Sequence, residues 1–308
     1  MSKCYLCPRA CGADREAGEI GYCRQGSEMR ICRAALHRFE EPPISCERGS
    51  GTVFFAGCSL GCLFCQNKEI SRGVNVGTQI SPRELADVFF HLEAEGAHNI
   101  NLVTGAHFAT GIREALIMSK DKLKIPVVYN SSGYERVETL RSLDGLIDVY
   151  LPDMKYASSE LAGKYSNAPD YPEVAIRAIG EMYRQVGKFV YGENGALVRG
   201  LVVRHLVLPS CRKDSMAVLE LLSRTLPPKN ILLSLMSQYT PEFATDCEYK
   251  ELHRRLTSFE YNSVLAYAES LGFEGFMQGI SSASSSYTPS FEIKDNGEIY
   301  PKGDKTAK

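Results

Sequence analysis

No stretch of these 308 residues is apolar for long enough to cross a bilayer, and the first residues lack the apolar core of a signal peptide. A membrane partner is therefore not expected, and the chain reads as cytoplasmic. An excess of one charge is missing too: 35 Lys and Arg are interspersed with 37 Asp and Glu, for a formal net charge of −2. With no basic field to track a phosphate backbone, nucleic acid is not expected to bind, although a folded RNA stays open. Tryptophan is absent, which by itself excludes nothing. What is present is 44% apolar and 23% charged, an ordinary globular mixture long enough to bury a large core.

Cysteine is unevenly placed: nine of the eleven fall within the first 65 residues. Without a signal peptide, that density favours metal ligation over disulfides. Cys58, Cys62 and Cys65 are spaced C-x3-C-x2-C and follow an apolar run, 52–56, that reads as a buried strand. Three thiolates on one tight loop can hold three corners of an iron–sulfur cluster, which usually takes four cysteines. The corner left over is an open coordination position, the mark of a catalytic rather than a structural metal site. Zinc would want a further Cys or His close by, and Gln66, Asn67 and Lys68 supply neither. Gly57 and Gly61, each preceding a ligand, can take backbone angles that other residues avoid.

Residues 1–48 form a Cys-, Gly- and Arg-rich segment with no sustained helical or strand period. Cys4, Cys7, Cys11 and Cys23 are four ligands at metal-like spacing, for zinc or for another Fe–S cluster. So small a segment has too little apolar material to fold alone, and a metal would supply the missing stability. Cys32 and Cys46 read as structural thiols.

From residue 52 short apolar strands alternate with amphipathic helices. Strands are expected at 52–56, 99–103, 125–129, 146–151, 201–208 and 231–235. The clearest helix is 82–95: Ser81 caps it, Pro82 opens it, Glu84 completes a capping box, and Leu85, Val88, Phe89 and Leu92 make its buried stripe. Others fit 111–120, 135–143, 171–186 and 214–225, with a helical hairpin at 248–271 restarted by Thr257 or Ser258. Such alternation means a parallel α/β sheet with right-handed crossovers, and six units fall short of a closed eight-stranded barrel. The core spans 49–280; residues 281–308 read as a peripheral tail, at best a hairpin around Asn296-Gly297.

Cys58, Cys62 and Cys65, with Phe64 just before the third, resemble the signature of the radical S-adenosylmethionine (SAM) enzymes. That resemblance implies a partial (β/α)6 TIM-like barrel, a [4Fe–4S] cluster on the three thiolates, and SAM chelating the open iron. It further implies an oxidoreductase that reductively cleaves SAM to a 5′-deoxyadenosyl radical for hydrogen abstraction, fed by an electron donor such as flavodoxin or ferredoxin. The backbone near Phe64 is expected to contact adenine.

Ligands of parallel α/β folds bind beyond the carboxyl ends of the strands. Where many family members place Gly-Gly-Glu for the SAM amino group, this chain has Thr104-Gly105-Ala106-His107. Thr104 and the Gly105 backbone could serve instead, and His107 is a proton donor, a substrate contact or a solvated loop residue. Asn130 and Ser132 offer donors to a ribose or carboxylate. Asp153 can take ribose hydroxyls or the amino group, or pair internally with Lys155 or Arg204. Arg204 suits the methionine carboxylate. Tyr239 guides substrate or only packs. No catalytic side chain is assigned.

The opening Cys-Tyr-Leu-Cys-Pro-Arg-x-Cys-Gly and the strand-end phrases are similar to homologues of the pyruvate formate-lyase activating enzyme. This implies a protein substrate, a glycyl-radical enzyme. A small molecule or peptide is the alternative, and a non-enzymatic iron–sulfur electron carrier a third reading.

Overall fold

The computed structural model describes residues 3–74 and 76–277. The strands are β1 (Arg30–His37), β2 (Ser50–Phe55), β3 (Thr78–Gln79), β4 (Ile100–Val103), β5 (Val127–Ser131), β6 (Val149–Pro152), β7 (Val190–Tyr191), β8 (Leu197–Leu206), β9 (Leu232–Met236) and β10 (Glu274–Met277). The helices are α1 (Pro42–Ser45), α2 (Lys68–Arg72), α3 (Pro82–Ala94), α4 (Ala109–Ser119), α5 (Val137–Arg141), α6 (Ser159–Ser166), α7 (Tyr171–Val186), α8 (Arg212–Thr225) and α9 (Ser258–Ser270). One sheet runs β10-β9-β8-β6-β5-β4-β2-β1-β3, with β7 pairing β8. All the pairings from β2 through β4, β5, β6, β8 and β9 to β10 are parallel. This is the expected unclosed, TIM-like α/β barrel. β2, β4, β5, β6 and β9 are buried along their whole length, as strands covered on both faces are.

Each of the six expected strands is present, shifted by a residue or a few. β5 begins after Pro126, which has no N–H to give a ladder, and runs on to Ser131 because Asn130 and Ser131 pair with Leu151 and Pro152 of β6. α3 starts with the full Ser81–Glu84 capping box. Of the hairpin at 248–271 only α9 is an α-helix, capped by Thr257; residues Lys250–His253 make one 3-10 turn. That turn buries a single side chain, Leu252, too little packing to hold an α-helix of its own.

The N-terminal segment is not wholly outside the sheet. β1 lies within 1–48 and pairs antiparallel with β2, from Ile31 opposite Phe55 to His37 opposite Ser50. Its period was hidden by an irregularity between Ile31 and Arg33, which turns the strand by one residue and lets two arginines sit in it. β10 adds a parallel edge strand beside β9. The tail at 281–308, with its expected turn at Asn296-Gly297, lies outside the described residues. Among the described residues no helix is long and apolar enough to cross a membrane.

Candidate metal centre and cofactor cavity

The loop after β2 carries the three cysteines. Gly57 begins it at φ +82, where a Cβ would lie 2.6 Å from the Gln25 side chain, so this position requires glycine. Gly61 has no such backbone angle, and a Cβ there would meet the Tyr22 hydroxyl at an ordinary contact distance of 3.4 Å, so this position does not require glycine. The N-terminal segment braces the loop from behind: Arg9 Nε donates to the Ser59 carbonyl at 2.7 Å, and Asn167 donates to the Tyr22 hydroxyl at 3.1 Å.

Cys58, Cys62 and Cys65 line one cavity of about 260 Å³ together with Phe64, Thr104, Asn130, Ser132, Asp153, Lys155 and Arg204. Each sulfur has a hydrogen-bonding neighbour. The Leu60 N–H donates to Cys58 at 3.4 Å, the Ser166 hydroxyl donates to Cys62 at 3.0 Å, and the Ser71 hydroxyl lies 3.4 Å from Cys65. Hydrogen bonds of this kind tune a cluster's potential. Burial, and then their thiol neighbours, push the Cys58 and Cys65 thiols up. Iron is what would relieve that repulsion, so the donor set fits a cluster. Among the described residues no three His, Cys, Asp or Glu side chains converge on a single-ion position. Thiolates that each bind a different iron do not need to converge, and among the described residues no fourth Cys lines the cavity beside them.

The cavity floor is one ionic network. Arg204 Nε donates to Asp153 Oδ1 at 2.9 Å and its Nη2 to Asn130 Oδ1 at 2.6 Å, while Nη1 lies 3.6 Å from Glu40 Oε2. Lys155 Nζ donates to the other oxygen of Asp153 at 2.6 Å. Burial would raise Asp153, but Arg204 and Lys155 outweigh it and hold the carboxyl below its usual range. Burial would lower Lys155, but Asp153 and the Cys62 sulfur keep it above its ordinary value. The internal pairs weighed for Asp153 are thus both formed. Each of its oxygens accepts one protein donor, so it anchors Arg204 and Lys155 while each oxygen keeps a second lone pair. The Arg204 fork is held by hydrogen bonds to Asp153 and Asn130 and by the nearby charge of Glu40.

Other expected residues divide. Thr104 lines the cavity at φ +61, a strained angle for a β-branched residue, held by its N–H donating to the Asn130 carbonyl at 2.9 Å. Gly105 does not line the cavity; it packs on α4, where a Cβ would meet Ile112 at 2.4 Å. His107 is neither a proton donor to the cavity nor solvated. It is buried, with Nε2 2.6 Å from the Ala56 carbonyl, because the 3-10 turn after β4 folds it beneath the cysteine loop. Tyr239 packs: its hydroxyl donates to the Leu252 carbonyl and its ring meets Phe64 edge-on. Cys46 lies apart, in a groove lined by Pro42, Arg48, His98 and Phe276.

Sequence reasoning missed His37 at the end of β1 and Phe39, Glu40 and Glu41 in the loop between β1 and α1, all of which reach the cavity. Two carboxylates followed by two prolines were the available signal. Burial raises both glutamates, opposed by Arg204, and one oxygen of Glu41 is buried without a hydrogen-bond partner.

A parallel, unclosed α/β barrel with three thiolates at its mouth and an ion-paired cavity beside them defines a class of cluster-bearing barrel proteins. Residues 52–192 match the radical SAM superfamily. "Uncharacterized protein MJ0674" of Methanocaldococcus jannaschii is 30% identical over 283 residues, 87% of this chain and 75% of that protein. The crystal structure of Streptococcus suis SuiB bound to S-adenosylmethionine superimposes with a TM-score of 0.50 at 11% identity, over 72% of this chain and 48% of SuiB. This chain therefore spans about half the length of SuiB, and the likeness is one of fold. A domain of pyruvate-formate lyase-activating enzyme from Bacteroides vulgatus gives a TM-score of 0.41 at 12% identity, over 56% of this chain and 92% of that domain, a level from which no branch follows. The chain belongs to the radical SAM superfamily, whose cofactors are a [4Fe–4S] cluster and SAM.

Proposed function

We propose that this protein is a radical SAM enzyme that abstracts hydrogen from its substrate, with Cys58, Cys62 and Cys65 as the cluster ligands. When bound, the cluster and SAM together supply a 5′-deoxyadenosyl radical. The observation that carries the reading is the loop that brings three cysteines to one cavity, with no fourth cysteine in its lining among the described residues. Phe64, Ser132 and Thr104 line the cavity, and Thr104 is the candidate contact for the SAM amino group. Asn130, Asp153, Lys155 and Arg204 fix the charge and shape of the floor around the reacting groups.

A glycyl-radical enzyme is the protein substrate suggested by the opening cysteine phrase. Glu40 and Glu41 favour the alternative, a small molecule or peptide with a cationic group. Asp153 is neutralised by Lys155, which leaves Arg204 alone against two glutamates, one with an unpartnered oxygen. A cation from outside would complete that balance.

Anaerobic, reduced, cluster-loaded protein should convert SAM to methionine and 5′-deoxyadenosine. Deuterium from a labelled glycyl-radical enzyme or from labelled amine-bearing peptides should then appear in the deoxyadenosine with one class only. Loaded protein that leaves SAM intact would rule the reading out.

A further inference from the structure

Between residues 3 and 26 the only buried residues are Cys7, Arg15, Gly21, Cys23 and Gln25. No apolar side chain other than cysteine is buried there, so the segment has no hydrophobic core of its own. It is nevertheless closely folded. The Cys4 N–H donates to the Ala13 carbonyl and the Gly12 N–H to the Cys4 carbonyl, closing a loop that holds Cys4, Cys7 and Cys11. A second turn, in which the Gly21 N–H donates to the Gln25 carbonyl, presents Cys23. Cys11 is flanked by left-handed residues, Ala10 at φ +41 and Gly12 at φ +66, and Cys23 is followed by Arg24 at φ +67. Two of these are not glycine, and such angles persist only where something fixes the turn.

The four thiols gather. Cys4 and Cys23 each lie within electrostatic reach of Cys7, Cys4 and Cys11 act on Cys23, and the Arg15 guanidinium is 3.8 Å from the Cys4 sulfur. A Cβ on Gly21 would stand 3.3 Å from the Cys23 sulfur and 3.6 Å from that of Cys11, so these two share one small space. Yet they do not converge. Four thiolates at about 2.3 Å from one zinc ion lie about 3.8 Å from each other, and the described residues contain no group of that kind. The same holds for Cys58, Cys62 and Cys65, where wider spacing suits sulfurs bound to separate irons. This comparison rests on the assignment of those three cysteines to the radical SAM cluster.

We propose that Cys4, Cys7, Cys11 and Cys23 hold a second [4Fe–4S] cluster, ligated at all four corners, in place of a zinc ion. A closed cluster takes neither SAM nor substrate; what it can exchange is an electron. Its segment lies against the cysteine loop, where Arg9 binds the Ser59 carbonyl, and against α5, where Arg136 and Thr139 donate to the carbonyls of Tyr5 and Leu6, each at 2.8 Å.

The test is metal and sulfide analysis with electron paramagnetic resonance of anaerobically reconstituted chain. The intact protein should carry about eight irons and about eight sulfides without zinc, and a Cys58→Ala/Cys62→Ala/Cys65→Ala variant about four. Reduced, that variant should give a cluster signal that added SAM does not perturb. Cys4→Ala/Cys23→Ala should lose about four irons and keep only a SAM-sensitive signal. About one zinc per chain that survives in the triple variant overturns the proposal, as does a triple variant with no iron at all. Should Cys4→Ala/Cys23→Ala fail to fold, the intact and triple-variant counts decide. A count of about four irons, the same in intact protein and triple variant, would support the N-terminal cluster and sink the role given to Cys58, Cys62 and Cys65.

Discussion

Arg204 and Asp153 meet across neighbouring strands at the barrel mouth, the guanidinium Nε 2.9 Å from the carboxylate oxygen, each side chain mostly shielded from water. Asp153→Asn would leave Arg204 and Lys155 facing each other with half their compensation gone. Breaking a buried pair from one side costs about 3 kcal/mol or more. A drop of that size in stability by urea unfolding is expected, with SAM affinity weakened about tenfold by equilibrium dialysis because the floor loses its shape. Unchanged stability would mean that solvent screens the pair.

Replacing Cys58, Cys62 or Cys65 singly by Ala should abolish deoxyadenosine formation, since two thiolates cannot hold the cluster in register. The fold should persist, because the strands carrying the loop are buried independently of it. Circular dichroism and product chromatography together check this; residual turnover in the Cys62→Ala protein would point to a different ligand.

Gly57→Ala should be costly. The position has φ +82, and the new methyl group would collide with the Cys23 carbonyl and with Gln25. A loss of at least about 2 kcal/mol is expected, from the left-handed strain plus overpacking, and iron content should fall with it. Thermal unfolding and iron analysis of the variant measure both.

Acid should destabilise the protein through two buried histidines. Burial lowers His107 and His205 from 6.5 to about 4. Between those values the unfolded chain takes up protons that the folded chain refuses. Stability is therefore full above pH 6.5 and drains as pH falls toward 4, by roughly 2–3 kcal/mol per histidine. In urea titrations at pH 7 and pH 4.5, His205→Gln should lose less on acidification than the unsubstituted protein. An equal loss would show that His205 does not contribute.

The local arrangement of this protein is written in short stretches of chain. The C-x3-C-x2-C phrase, the Ser81–Glu84 capping box and the six apolar strands each depend on neighbours a few residues away, so periodicity and spacing reveal them. Part of the cavity lining, Thr104, Asn130, Ser132, Asp153 and Arg204, was legible because in parallel sheets the strand ends emerge on one side, whereas Gly105, His107 and Tyr239 at the same ends turn away from it. What they touch was not. Asp153 and Arg204 are 51 residues apart in sequence and could equally have bound a ligand or each other; the β6–β8 crossover brings them together. Nor could spacing show that β1 joins the sheet, because its irregularity breaks the alternation, or that His107 turns under the cysteine loop. Glu40 and Glu41 reach the cavity only because the chain leaving β1 crosses the barrel mouth. Tertiary packing decided these matters, since burial and ion pairing are properties of distance in space and the sequence records distance along the chain.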